Sequence, residues 1–104
     1  MAEYVLVYKD GGQMPEGEAA QKAVMEAWTK WFDDLGDKIV NRGAPFGATK
    51  SIASDGGVGD GSVGLTGFSI IEADSLDAAV EIAKGCPVLG GGSSIEVCET
   101  FDVM

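Results

Sequence analysis

Residues 65–101, LTGFSIIEADSLDAAVEIAKGCPVLGGGSSIEVCETF, decide the fold, because they spell strand, helix and strand with the punctuation in place. Residues 65–73 are rich in β-branched and aromatic types and read as a strand. Asp74 follows as an N-cap, with Asp77 three residues on as a short-armed relative of the capping box. Leu76, Ala79, Val80 and Ala83 recur at helical spacing; Gly85 then stops the helix and Pro87 forbids its continuation. Gly90, Gly91 and Gly92 turn the chain into a last strand, residues 94–101, with Ile95, Val97 and Phe101 expected on one face and Cys98 expected in the core.

Working back toward the N-terminus, EYVLVYK at residues 3–9 reads as the first strand, ended by Asp10-Gly11-Gly12. Pro15 leads into a long helix over residues 18–35, closed by Gly36. Ala20, Ala23, Val24, Ala27, Trp28, Trp31, Phe32 and Leu35 form its apolar face. Opposite them run Glu18, Lys22, Glu26, Lys30 and Asp34, and Glu18–Lys22 and Glu26–Lys30 have the favourable acid-first order. The apolar arc spans about 180°, wider than the ~100° stripe needed to cover a sheet. Trp28 and Phe32 lie toward the edge of that arc and Met25 beyond it. A partner subunit is the economical cover for this edge, and a ligand pocket the second. The Trp28, Trp31 and Phe32 cluster reads as core or interface, or else as a cleft lining that grips a small organic ligand.

Between the two halves, residues 38–53 (KIVNRGAPFGATKSIA) look extended but are broken by Gly43, Pro45 and Gly47, which predicts an irregular or bulged strand. Residues 54–64 (SDGGVGDGSVG) lack periodicity and read as a flexible loop. The resulting order, βαββαβ, is the ferredoxin-like α+β arrangement, an antiparallel sheet with two helices on one face. One domain spanning residues 1–104 is expected, with room for a single core. The helices leave one sheet face uncovered. With Tyr4, Leu6, Tyr8, Phe68 and Ile70 distributed along the sheet, both faces cannot stay apolar in water, so a sheet-to-sheet homodimer is expected; a monomer with a polar outer face is the alternative.

The 17 acidic residues outnumber the 7 basic ones, for a net charge of −10. Such a surface repels phosphate backbones and anionic lipid, so neither nucleic acid nor a membrane is an expected partner. No apolar run approaches the ~18–20 residues of a membrane span. The opening MAEYVLVYKD lacks a basic region ahead of an apolar core, and a cytoplasmic protein is expected. Cys86 and Cys98 are too few for a disulfide framework, form no CxxC pair and read as reduced thiols. No cofactor and no metal is expected.

The chain has no histidine. No Ser–His–Asp or Cys–His arrangement can therefore form, and acid–base work would fall to carboxylates, Tyr or Lys. Gly59-Asp60-Gly61-Ser62-Val63-Gly64 matches a dinucleotide fingerprint by letter, but a strand follows it where the phosphate site needs a helix. Gly56-Gly57-Val58-Gly59-Asp60 occurs once, without the repetition of a calcium-binding array. Glu72, Asp74 and Asp77 are explained by the N-terminal end of the second helix. Arg42 and Lys50, on either side of a glycine–proline turn, are either solvated charges or receivers of an anionic ligand. The candidate pocket residues are Trp31, Phe68, Tyr8, Arg42 and Lys50; no catalytic residue is assigned.

Several short pieces resemble the YCII-related (DGPF-domain) family in order and spacing. They are Gly67-Phe68 opening a strand, Asp74-x-Leu76-Asp77-x-Ala79, Cys86-Pro87, and Gly92-Ser93 before Ile95-Glu96-Val97. Gly43-Ala44-Pro45-Phe46-Gly47, the Trp-rich helix and YVLVYK are also similar to one branch of it. The resemblance implies a ferredoxin-like dimeric α+β barrel, found in bacterial cytoplasmic proteins of largely unknown function. It also implies, for YCII-like enzymes, a His–Asp pair in a cleft and removal of chloride from a chlorinated aromatic. Lacking histidine, this chain inherits no catalytic residue from that pattern. The expected function is a homodimeric small-molecule-binding or accessory domain. A small lyase or isomerase acting on an aromatic or polar metabolite, and a pure dimerisation module, are the alternatives.

Overall fold

Alternation in Ala2–Lys9 (β1) sends Tyr4, Leu6 and Tyr8 to one face, where they are buried, and Val5 and Val7 to the other, where they are half-buried. The computed structural model describes residues 2–10, 16–61 and 64–101. The expectations for Gly11, Gly12, Pro15, Ser62 and Val63 lie outside the described residues. Leu65–Ala73 (β5) repeats the pattern, with Ser69, Ile71 and Ala73 buried on the inner face and Phe68 and Ile70 half-buried on the outer. β1 pairs antiparallel with β5 on one side and with Ser94–Glu99 (β6) on the other. Ile39–Pro45 (β2) joins the far side of β5, so the order is β2-β5-β1-β6. β1 and β2 thus run parallel with β5 between them, which is the split β-α-β arrangement.

Glu18–Leu35 (α1) and Leu76–Ala83 (α2) cover the inner face, and Trp31, Ala79 and Ala83 join Tyr4, Leu6, Tyr8 and Ile71 in one core. The fold is the expected ferredoxin-like α+β. α1 has the expected bounds, and the Gly36 N–H closes it on the Phe32 carbonyl. Its buried face is narrower than the apolar arc: Ala23 and Ala27 are exposed, and Met25 is 56% exposed. The larger side chains Trp28, Trp31, Phe32 and Leu35 carry the packing of α1 against the core, and the short alanines Ala23 and Ala27 beside them take no part in it. The i,i+4 pairs also differ from expectation. Lys22 lies 3.9 Å from Glu26 and Lys30 2.8 Å from Asp34, so each lysine takes the carboxylate on its C-terminal side.

In the second half, the N-cap of α2 is Ser75 rather than Asp74. Ser75 is extended at φ −156° and its hydroxyl accepts from the Ala78 N–H at 3.1 Å. Leu76 stays 42% exposed, and the buried stripe of α2 is Ala79 and Ala83. β6 ends at Glu99, leaving Phe101 80% exposed. Cys98 is exposed as well. Val97 and Ile95 sit opposite Leu6 and Tyr8 on the inner face, so the alternating Cys98, opposite Val5, must face outward.

The stretch expected as one irregular strand splits in two. β2 ends at Pro45, and Lys50–Ile52 (β3) pairs with Val58–Asp60 (β4) as a separate two-stranded ribbon. The segment expected as a flexible loop therefore contains a strand; three residues are too few for a period of two to stand out in a sequence. Among the described residues no helix is long and apolar enough to cross a membrane.

Candidate functional site

Ser69 is the polar residue on the otherwise apolar inner face of β5, and the site is organised around it. The Tyr8 hydroxyl donates to Ser69 Oγ at 2.7 Å, and Ser69 Oγ donates in turn to the Arg42 carbonyl at 2.8 Å. A buried hydroxyl without a partner costs about 1–3 kcal/mol, so this chain of bonds explains why a serine is tolerated at 0% exposure. It also ties β1, β5 and β2 together across the sheet.

Aromatic rings continue the structure onto α1. The Tyr8 ring meets Trp28 edge-on with centroids 5.5 Å apart, and Trp28 meets Phe32 at 5.6 Å. Trp31 lies behind them, 5.8 Å from Trp28 and 5.3 Å from Phe32. The Arg42 guanidinium sits 5.0 Å over the Phe32 ring, with Nη2 3.7 Å from the Asp33 carboxylate. Both charges of that pair are exposed, so its contribution is only a few tenths of a kcal/mol. Tyr8, Trp28, Phe32, Arg42 and Ser69 thereby form a closed circuit of contacts. Tyr8 and Ser69 form its buried side; Trp28 and Phe32 are half-buried and Arg42 faces solvent.

Cys86, at the start of the 3-10 turn Pro87–Gly91, borders Tyr8 and is buried. Burial pushes its thiol up to about 11, against a smaller opposing pull from the Val88 backbone and the neighbouring Tyr8 side chain. Burial likewise raises the Tyr8 hydroxyl well above the usual phenol range. At neutral pH both groups stay protonated, and neither is an anionic nucleophile.

A pH dependence follows, and its sign is fixed by these directions. Above an ordinary thiol value of 9.0 the unfolded chain loses the Cys86 proton, while the folded chain keeps it up to about 11. The folded state binds more protons in that window, so stability present below pH 9 falls as pH rises, by on the order of 2 kcal/mol from this group. Urea denaturation at pH 8 and pH 10.5 should show the fall, and Cys86→Ala should lessen it, leaving the smaller fall that Tyr8 contributes above pH 10. In native protein at pH 8 a disulfide reagent should titrate the exposed Cys98 alone.

The structure brings together three of the five candidate pocket residues, Tyr8, Trp31 and Arg42. Phe68 lies on the opposite face of the sheet, paired with the outward-facing Val7 and stacked on Phe46 at 5.9 Å. Lys50 stands on the β3–β4 ribbon, 4.0 Å from Asp60. Sequence reasoning missed Ser69; the signal available was a serine at an inward position between Gly67 and Ile71. Among the described residues no three cysteine or carboxylate side chains converge on a metal position. A shallow open depression on the outer face of α1, between Lys22, Met25, Thr29 and Lys30, is lined by different residues from those of the Tyr8 circuit.

A four-stranded antiparallel sheet with two helices on one face defines a ferredoxin-like α+β protein. The chain belongs to the YCII-related family: the YCII-related domain matches residues 2–101. Among solved structures it is similar to 5-chloro-2-hydroxyhydroquinone dehydrochlorinase from Burkholderia phenoliruptrix, in complex with 2,5-dihydroxybenzoquinone. The identity is 21%, the match covers 96% of this chain and 93% of that one, and the TM-score is 0.57, a likeness of fold. No curated protein matches the sequence.

Proposed function

We propose that this YCII-related protein is a cytoplasmic homodimer, one domain per chain, that binds a small hydroxylated aromatic. The observation that carries the binding site is the closed circuit of Tyr8, Trp28, Phe32, Arg42 and Ser69. The half-buried rings supply stacking surface and the exposed guanidinium suits an anionic oxygen, while the buried Tyr8 and Ser69 hydroxyls, each already donating within the protein, hold that frame in place. The ligand of the structural neighbour, a dihydroxyquinone, has this chemistry. Dimerisation draws on the outer sheet face, where Val5, Val7, Phe68 and Ile70 are apolar and uncovered by either helix.

An enzymatic reading, a lyase or isomerase acting on such a metabolite, draws on the dehydrochlorinase activity of that neighbour. Binding takes precedence because the Tyr8 proton is committed to Ser69 and neither shifted group of the site is a base.

Titration calorimetry with 2,5-dihydroxybenzoquinone and with salicylate tests the proposal, on a Cys98→Ser background that removes the exposed thiol. Saturable binding to the wild-type protein is expected, weakened about tenfold or more by Arg42→Ala and by Trp28→Ala, as for loss of one charge-assisted or stacking contact. No saturable heat with either compound at millimolar concentration, together with an unchanged melting temperature, would sink the binding reading.

A further inference from the structure

We propose that the β3–β4 ribbon is an arm that packs on a second copy of this chain, an inference that rests on the homodimer reading above. Residues 46–60 are exposed throughout, and the two strands pair only with each other. The radius of gyration is 15.2 Å, against about 13 Å for a compact domain of this length, as a projecting arm requires.

The ribbon is two-faced. Lys50 pairs with Asp60 and Ile52 with Val58, and alternation puts all four on one side, with Ser51 and Gly59 on the other. Ile52 is 74% exposed and Val58 69%, so a directly paired β-branched couple faces solvent. An isolated two-stranded ribbon is marginal in water, and one with three residues per strand needs cover on its apolar side. Its own chain supplies none among the described residues.

Continuity identifies the occupant. The ribbon runs on from the outer sheet face that the homodimer reading pairs: at the arm's root, Phe46 stacks on Phe68 of that face. Two-fold symmetry lets each arm reach across the sheet interface and lay Ile52 and Val58 on the partner.

Sedimentation equilibrium from 1 to 100 µM tests this on wild type, on the double variant Ile52→Asp with Val58→Asp, and on Ser51→Asp, which charges the bare side. Far-UV circular dichroism verifies that all three fold. The proposal expects a wild-type dimer, a rise of at least about tenfold in dimer dissociation constant for the double variant, and no change for Ser51→Asp. If the double variant dimerises within twofold of wild type, or Ser51→Asp weakens the dimer equally, the arm is not a specific contact although the dimer stands. If wild type is monomeric at 100 µM, arm and homodimer fall together.

Discussion

Gly43→Ala should cost at least about 3–4 kcal/mol and leave much of the protein unfolded, far more than the ~1 kcal/mol of an ordinary left-handed glycine. β2 leaves the register of β5 twice, between Ile39 and Asn41 and again between Asn41 and Ala44. Gly43 absorbs the second shift at φ +79°, a conformation disfavoured for residues with a Cβ, with its N–H held by Asn41 Oδ1 at 2.7 Å. Strain is the smaller part of the penalty. An alanine Cβ would fall on the carbonyl oxygen of Phe68, with the Phe68 carbonyl carbon at 2.5 Å and Ser69 Cα at 3.1 Å. Those are backbone atoms of a central strand paired to β1, and a rotamer change cannot move them. Gly92 provides the control: its backbone is left-handed at φ +86° and ψ 3°, but a Cβ there meets nothing within 4 Å, so Gly92→Ala should cost only about 1 kcal/mol. Urea denaturation of the two variants measures the contrast. A Gly43→Ala protein within 1 kcal/mol of wild type would mean that the bulge is not held as tightly as this contact requires.

The same bulge shows what a sequence could and could not disclose. Gly43, Pro45 and Gly47 announced an irregular strand, but nothing local to them names Phe68 as the strand that β2 would approach. Elements with several turns of period were legible: eighteen residues of α1 and the nine of β5 carry enough repeats to outvote exceptions. The three-residue strands of the ribbon carry none. Asp74 and Ser75 are both competent caps, and which one acts depends on a one-residue difference in where the chain turns extended. Facing was legible only in pairs. Alternation says that Tyr8 and Ser69 each share a side with their second neighbours, but only the β1–β5 register puts the two hydroxyls together and sends Phe68 away from Tyr8. For the same reason Cys98 reads as core by composition and stands outside by pairing.

Trp31→Ala should cost about 3–5 kcal/mol, the range for emptying a large buried aromatic, and a large share of the 5–15 kcal/mol that stabilises a domain. Trp31 is the buried residue of α1, at 8% exposure, and its Nε1 lies 3.4 Å from where a Cβ on Gly85 would sit. It touches both half-buried rings of the circuit, so its removal leaves Trp28 and Phe32 without a backing and should weaken ligand binding as well as stability. Trp28→Ala separates the two effects. Being half-buried, Trp28 leaves a smaller and better-hydrated gap, worth about 1–2 kcal/mol, yet it supplies the face that meets Tyr8 edge-on. Comparing urea midpoints with calorimetric affinities for the pair is therefore informative about the site itself. Trp28→Ala should lose at least as much affinity as Trp31→Ala while losing much less stability. If affinity instead follows stability across the two variants, these rings are core alone and the ligand, where one binds, lies elsewhere.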